Sequence, residues 1–163
     1  MMSKRIFITA LAFLLAACAT APPFPDDLLD AVNRTLTPEQ AARDRVRDTR
    51  VLWGGVVVSS SNREDVTDLV VLAYPLNRSQ RPDQDKPPLG RFIARYSGYL
   101  ETVVYAAGRE VTVLGGLQGV EEGRIGGAAY RYPVLKADDI YLWSEQDDSK
   151  VRFGIGVGIG VHM

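Results

Sequence analysis

Short runs of β-branched and aromatic residues recur between residues 51 and 143, and glycine, proline, serine or asparagine separate them. Runs of this length and composition predict strands rather than helices. The predicted strands are residues 51–58, 69–74, 91–96, 110–114, 130–135 and 140–143. The run 69–74 is apolar enough to be buried on both faces. The second half of the sequence therefore predicts a mainly β domain.

Glycines give this domain its expected curvature. Gly115 and Gly116 are expected to end the fourth strand, and a tight hairpin region is expected around glycines 119, 123, 126 and 127. Pro133 makes its strand an edge strand or a bulged one. Five or more short strands with glycine bends predict a small curved OB-like β-barrel. A β-sandwich is the alternative, since strand spacing alone does not separate the two.

The N-terminus has the pattern of an export signal. Lys4 and Arg5 precede an apolar run that ends at Leu15, Ala16, Ala17 and Cys18. Ten helical residues cover only ~15 Å, about half of a hydrocarbon core of ~30 Å, so the run is too short to span a membrane. The Leu-Ala-Ala-Cys ending resembles the lipobox of bacterial lipoproteins, in which the cysteine is acylated and becomes the first mature residue. Cys18 is accordingly predicted to be the lipidation site, at which acyl chains such as palmitate anchor the mature protein to a membrane.

Composition narrows the chemistry. Without residues 1–17 the chain has 146 residues, enough for one domain with a real core, and carries 17 basic against 20 acidic side chains. This balance argues against nucleic acid as a partner. Cys18 is the only cysteine, so one chain cannot form a disulfide or a zinc cluster. No cofactor is predicted.

Residues 18–48 are predicted to be an acylated tether followed by a short helix. The prolines of 21–25 favour an extended, semi-rigid spacer. Thr37, Pro38 and Gln40 have the order of a capped helix start, and a polar helix is expected over 41–48. The expected organisation is a signal peptide at 1–17, this tether and helix, a barrel domain at 49–146, and a glycine-rich strand or tail at 147–163.

The catalytic inventory is thin. His162 is the only histidine and lies one residue from the C-terminus, where a base or ligand is hard to hold. Adjacent acidic pairs occur at 121–122 and 138–139, but neighbouring side chains diverge on a strand. The glycines lack the lysine that a phosphate-binding loop requires. We therefore expect no enzymatic activity, no catalytic residues and no metal site.

Aromatic residues give the stronger indication of a site. They concentrate in the second half of the chain, and an OB-like barrel often uses such a face to bind saccharides or peptides. Core packing is the favoured explanation for most of them, and the binding face is the alternative. The candidate ligand-binding residues are Tyr96, Tyr99, Tyr105, Arg91 and Arg95, with the arginines contributing cationic contacts.

Two further segments have open interpretations. The polar loop 77–88 is predicted to be either a lid or a surface excursion. In residues 153–161 every odd position is apolar and every even one is glycine. That pattern suits a last barrel strand, or a segment for membrane contact or pairing between chains.

The sequence also resembles the Slp (starvation-inducible lipoprotein) family of bacterial outer membrane lipoproteins. The resemblance covers about two thirds of the chain, in the family's order and behind the same kind of lipobox. The matching pieces are Trp53-Gly54-Gly55, Asn62, Tyr74-Pro75-Leu76, Arg81-Pro82, Gly90-Arg91-Phe92, Gly98-Tyr99-Leu100, Gly108-Arg109, Val111-Thr112-Val113, Gly115, Ile125-Gly126, Tyr132-Pro133 and Leu142-Trp143.

The resemblance implies a lipid-anchored outer membrane protein, facing the periplasm and associated with starvation or stress, without an enzymatic activity. An envelope protein or a glycan is the partner it suggests. Ala19 is consistent with the outer membrane, because an aspartate after the cysteine retains enterobacterial lipoproteins at the inner membrane. Two departures are Glu101-Thr102, where the family has Asp-Pro, and Gly127, where it usually has glutamate.

Overall fold

The computed structural model describes residues 21–145 of the protein, which form two short helices and five strands. The predicted signal and lipobox residues Leu15, Ala16, Ala17 and Cys18 lie outside the described residues, as does the segment 146–163 with His162. The elements are α1 (Asp26–Leu29), α2 (Pro38–Asp44), β1 (Arg50–Asn62), β2 (Val66–Tyr74), β3 (Arg91–Ser97), β4 (Glu110–Ile125) and β5 (Ala128–Leu142).

The strands form a closed barrel in the order β1-β2-β3-β5-β4, and β4 pairs with β1 to complete the ring. Neighbours are antiparallel except β3 and β5, which pair in parallel from Ile93 and Val134 onward. The predicted OB-like barrel is thus confirmed, and the sandwich alternative is wrong. A tight hairpin cannot join two parallel strands. The chain therefore passes through β4 before β5 pairs with β3, and this pairing closes the barrel.

The first strand is long and sharply bent. Gly54, Gly55 and Val56 pair with β2 on one side and with β4 on the other, whereas the rest of β1 pairs with one neighbour at a time. A Cβ atom on Gly55 would overlap the carbonyl oxygen of Leu72. Only glycine permits this approach of the two backbones. The predicted end of β1 at residue 58 is wrong, because a bulge between Val57 and Ser59 lets pairing continue to Asn62.

The last two strands form one long hairpin. β4 does not end at Gly115 and Gly116 but runs on to Ile125, and the two predicted strands of residues 130–143 are the single strand β5. The glycines that suggested breaks in the strand lie at β-bulges instead. These bulges fall between Leu114 and Gly115 and between Leu117 and Gly119. The turn is confined to Gly126 and Gly127, which both have positive φ, as a type I′ turn requires.

Pro133 lies in the half of β5 that pairs only with β4, so its missing N–H removes no bond to β3. This confirms its predicted place on a strand edge.

Apolar residues pack in one cluster inside the barrel and in two clusters outside it. The inner cluster contains Trp53, Phe92, Leu69, Leu135 and other buried side chains of all five strands. One outer cluster joins Phe24 and Leu29 to Leu52 and Leu114. Residues 21–37, which we call the N-terminal segment, therefore cover part of β1 and β4. The other outer cluster joins Ile93 of β3 to Tyr132 and Val134 of β5.

The helix start predicted at Thr37 is confirmed. The Thr37 hydroxyl accepts from the Gln40 N–H, and the Gln40 side chain accepts from the Thr37 N–H, which completes a capping box. The helix ends earlier than predicted because Arg45 adopts the left-handed conformation after Asp44.

No helix between residues 21 and 145 is long and apolar enough to cross a membrane.

We predict that Gly55→Ala lowers the free energy of unfolding by at least about 2 kcal/mol, because the added methyl overlaps the backbone of β2. Urea unfolding monitored by circular dichroism measures the effect. Gly116→Ala is the matched control, since a Cβ there meets no atom within 4 Å. That variant should stay within about 1 kcal/mol of the parent protein. Equal stability of the two variants would contradict the close-approach explanation.

Candidate functional site

The largest concavity of the described residues is a groove of about 520 Å³ between the N-terminal segment and the loop 75–90. We call it the N-terminal groove. This volume is within the range of small-molecule pockets. The apolar part of its lining comes from residues that are distant in sequence: Leu36, Leu52, Trp53, Ala73, Tyr74, Pro75, Leu76 and Leu89.

The N-terminal segment forms one wall because it is fastened to the loop 75–90. The Gln80 side-chain oxygen accepts from the Phe24 N–H at 3.0 Å, and the Gln80 amide donates to the Phe24 carbonyl at 2.7 Å. The Phe24 side chain is only 2% exposed and packs against the outer face of β1 and β4. The predicted spacer at 21–25 is therefore attached to the barrel from Phe24 onward.

The loop 75–90 is in turn held against β4 and β5. Thr112 is buried and donates its hydroxyl proton to the Gln80 carbonyl at 2.7 Å, while the Trp143 indole donates to the Thr112 oxygen at 2.9 Å. Arg81 forms a salt bridge with Glu110, and its guanidinium lies 5.3 Å from the centroid of the Trp143 ring. These contacts favour the surface-excursion interpretation over a free lid.

Trp53 fixes the inner end of the groove. Its indole N–H donates to the Leu36 carbonyl at 2.8 Å, which ties the segment before α2 to β1. Its ring meets Phe92 edge to face, with 5.2 Å between centroids. The groove thus has a rigid aromatic end built on the barrel core.

The rim of the groove is charged. Asp26, Arg34 and Arg78 line it, and all three are exposed. Arg34 forms an exposed salt bridge with Asp26 at 3.3 Å, a type of pair that contributes little energy and that a ligand can replace at small cost. An apolar interior under two arginines and one aspartate suits a ligand with an apolar body and an anionic end.

A smaller cavity of about 190 Å³ lies beside Trp143, between Arg81 and Arg109. Arg109 donates to the carbonyls of Val104 and Trp143. Its Nε forms an ion pair with Glu145 at 3.5 Å without a hydrogen bond. Because the arginines already bind carboxylates and carbonyls, this cavity belongs to the framework that holds the loop.

The five residues proposed from the sequence do not form one site. Arg91 and Tyr96 lie near opposite ends of β3, about 16 Å apart at ~3.3 Å per residue. Tyr96 and Tyr105 lie near each other and both are half-buried, with Tyr105 packed against the inner core. Tyr99 is 65% exposed beside Glu101. Arg91 lies next to Tyr130, whose hydroxyl accepts from the Arg91 N–H at 2.8 Å.

Arg95 is the centre of a charge network on the outer face of the barrel. It forms two hydrogen bonds with Asp68, at 2.8 and 2.9 Å, and two with Glu121. Arg63 also contacts Asp68, at 3.1 Å. The hydrogen bonds that Arg95 donates to Asp68 and Glu121 raise its pKa, so it stays charged.

Tyr99 and Tyr105, in the connection between β3 and β4, also have shifted pKa values. The negative charge of Glu101 raises the pKa of Tyr99, and burial raises the pKa of Tyr105. Both phenols therefore stay protonated at neutral pH and remain hydrogen-bond donors.

Sequence reasoning missed the N-terminal groove. Its residues occur in four separate stretches between 22 and 89, and only the tertiary fold brings them together. The one available signal was Trp53, a tryptophan in the first strand, because an indole usually places its N–H against a specific partner.

Within residues 21–145 no group of three histidine, cysteine, aspartate or glutamate side chains is arranged to hold a metal ion. Asp68, the only buried carboxylate among the described residues, and Glu110, whose side chain is 14% exposed, each lie against an arginine.

Comparison with known protein families assigns the chain to one of them. The model of the Outer membrane lipoprotein Slp family matches residues 15–156, a range that includes Cys18. The chain belongs to this family, which confirms the resemblance seen in the sequence. The protein is an outer membrane lipoprotein of the Slp type.

Individual relatives span most of the chain. The protein is 29% identical over 143 residues to the outer membrane protein Slp of Escherichia coli K12, covering 87% of this chain and 76% of that one. It is 28% identical over 140 residues to the lipoprotein YeaY of the same strain, covering 86% and 72%. Among solved structures it is similar to a small single-stranded DNA-binding protein from Streptomyces coelicolor, with 20% identity, 60% and 95% coverage and a TM-score of 0.38.

We predict that Arg95→Met lowers the free energy of unfolding by about 3 kcal/mol, because it leaves the Asp68 carboxylate, whose side chain is 5% exposed, with only Arg63 as a partner. Urea unfolding measures the loss. The double variant Arg95→Met, Asp68→Leu should recover at least half of it, since no buried charge remains. A double variant as unstable as Arg95→Met would show that packing, rather than charge, explains the effect.

Proposed function

We propose that the protein is a non-enzymatic lipoprotein, anchored by acyl chains on Cys18, whose periplasm-facing barrel supports the outer membrane during starvation or stress. The observation that carries this proposal is the docking of Phe24 on the barrel. Phe24 lies six positions after Cys18, and an extended chain over that interval reaches at most ~21 Å. A lipid on Cys18 would hold the barrel close to the bilayer surface.

The charge arrangement supports a non-enzymatic role. The buried Asp68 is neutralised by Arg95, and the partly buried Glu110 is neutralised by Arg81. A general acid or base needs a carboxylate free to exchange a proton near neutral pH. Salt bridges of this kind stabilise the fold instead.

We expect the purified protein to begin at Cys18 and to carry acyl chains there. Mass spectrometry of the N-terminal peptide measures both properties. The Cys18→Ala variant should lose the added mass and the association with outer membrane fractions, whereas Thr20→Ala, two residues further on, should retain both. Outer membrane protein with an unmodified Cys18 would contradict the anchor.

Orientation and role are tested in cells. A periplasm-facing domain should resist external protease in intact cells and become sensitive once the outer membrane is permeabilised. Deletion of the gene should increase the sensitivity of cells to detergent. The increase should be larger in starved cells than in growing cells. The wild-type gene should restore resistance and the Cys18→Ala form should not. Equal sensitivity of deleted and parent cells after starvation would contradict the supporting role.

A second candidate function is a periplasmic module that binds a saccharide or peptide. Tyr99 favours it, because this aromatic side chain is exposed in the connection between β3 and β4, where Val103 is also exposed, by 78%. Tyr99→Ala would weaken binding of envelope glycan fragments measured by calorimetry, whereas Tyr141→Ala, also exposed but on β5, would not. Equal binding by the two variants would exclude this surface.

A further inference from the structure

The N-terminal groove is an apolar site beside the segment that leads to the anchor. Its interior is lined by Leu36, Leu52 and Leu76 and ends at Trp53, while Arg34 and Arg78 stand on its rim. Burial of an apolar chain in such a groove is favourable in proportion to the area removed from water. The cationic rim selects an anionic group at the end of that chain.

The distance to the anchor limits which ligand meets the groove. Pro22 lies on the groove and is four residues from Cys18, so an extended chain separates them by at most ~14 Å. If Cys18 carries lipid, the groove is held within that distance of the bilayer surface. The molecules at highest local concentration there are phospholipids.

We propose that the N-terminal groove binds the acyl chain of an anionic phospholipid drawn from the adjacent membrane leaflet, with Arg34 and Arg78 contacting the phosphate headgroup. This inference rests on the proposed lipid anchor at Cys18, which supplies the proximity. The same guanidinium groups suit a phosphate geometrically, since each offers several donors in one plane. Arg34 exchanges its exposed contact with Asp26 for the headgroup.

The experiment uses the lipidated protein in vesicles that contain phosphatidylglycerol with a photoactivatable group in the acyl chain. After illumination, mass spectrometry locates the cross-links. We expect most of them in the peptides that contain Leu36, Leu52 and Leu76. Vesicles with the same label on phosphatidylcholine should give at least fivefold fewer, because the rim arginines lack a net negative headgroup to bind.

Charge reversal tests the rim. The double variant Arg34→Glu, Arg78→Glu should lower the yield of groove cross-links at least fivefold. Arg124→Glu, Arg131→Glu is the matched control, because both arginines are exposed on the β4–β5 hairpin and do not line the groove. It should retain the parent yield. Circular dichroism shows whether each variant is folded, and Arg34→Gln, Arg78→Gln replaces the reversed pair if it is not.

A second measurement follows Trp53 directly. Trp53 lines the groove and Trp143, the other tryptophan, does not, so phosphatidylglycerol with brominated acyl chains should quench the fluorescence of Trp53 in the unchanged protein. Cross-links spread over the surface without the groove peptides, or equal yields for both lipids, would overturn the proposal. Occupation of the groove by the protein's own acyl chain would overturn it as well, since labelled lipid then gives no groove cross-links.

The anchor is measured separately in the same sample. Lipidated Cys18 with an unlabelled groove refutes this inference alone, whereas an unmodified Cys18 refutes the proposed function.

Discussion

The barrel closes because β1 is shared by both of its halves at one point. Gly54, Gly55 and Val56 pair simultaneously with β2 and β4, and at Gly55 the backbone of β2 approaches so closely that a Cβ atom has no room. Closure removes the free sheet edges that a curved sheet would otherwise expose. The inner core then forms from side chains of all five strands, with Trp53 meeting Phe92 inside it. Ala41 of α2 joins this core, whereas Phe24 and Leu29 pack on the outside of the ring.

A short series of hydrogen bonds connects the ring to its outer layer. Trp143 donates to Thr112, Thr112 to the Gln80 carbonyl, and Gln80 is bonded to both backbone groups of Phe24. Buried polar groups need such partners because leaving one unpaired costs free energy. The series therefore fixes the loop 75–90 and the N-terminal segment together. The N-terminal groove is the space left between them, so its shape depends on the same bonds that hold the outer layer.

Two carboxylates of the barrel differ from the arginines of the groove rim in their exposure. Asp68 and Glu110 on the barrel are paired with arginines, whereas Arg34 and Arg78 on the groove rim are exposed. Paired charges stabilise the fold at a fixed geometry, and exposed arginines remain able to bind a ligand. The exposed arginines therefore lie at the groove beside the N-terminal segment. The aromatic residues Tyr96 and Tyr105 pack at the other end, where only Tyr99 is largely exposed.

The sequence by itself determined the β character of the domain, the approximate positions of the strands, the capped helix start at Thr37 and the family. These depend on local properties: the residue types that suit a pleated strand, a side chain that caps a helix, and a signal that is read as a short peptide. The tertiary structure alone decided that Gly115 and Gly116 continue a strand, that Phe24 is buried, and that Arg91 and Tyr96 lie apart. It also decided the groove, because contacts between residues as distant as Phe24 and Gln80 depend on the closure of the barrel. A pattern along the chain reports what each residue prefers, whereas a site depends on which distant residues the fold brings together.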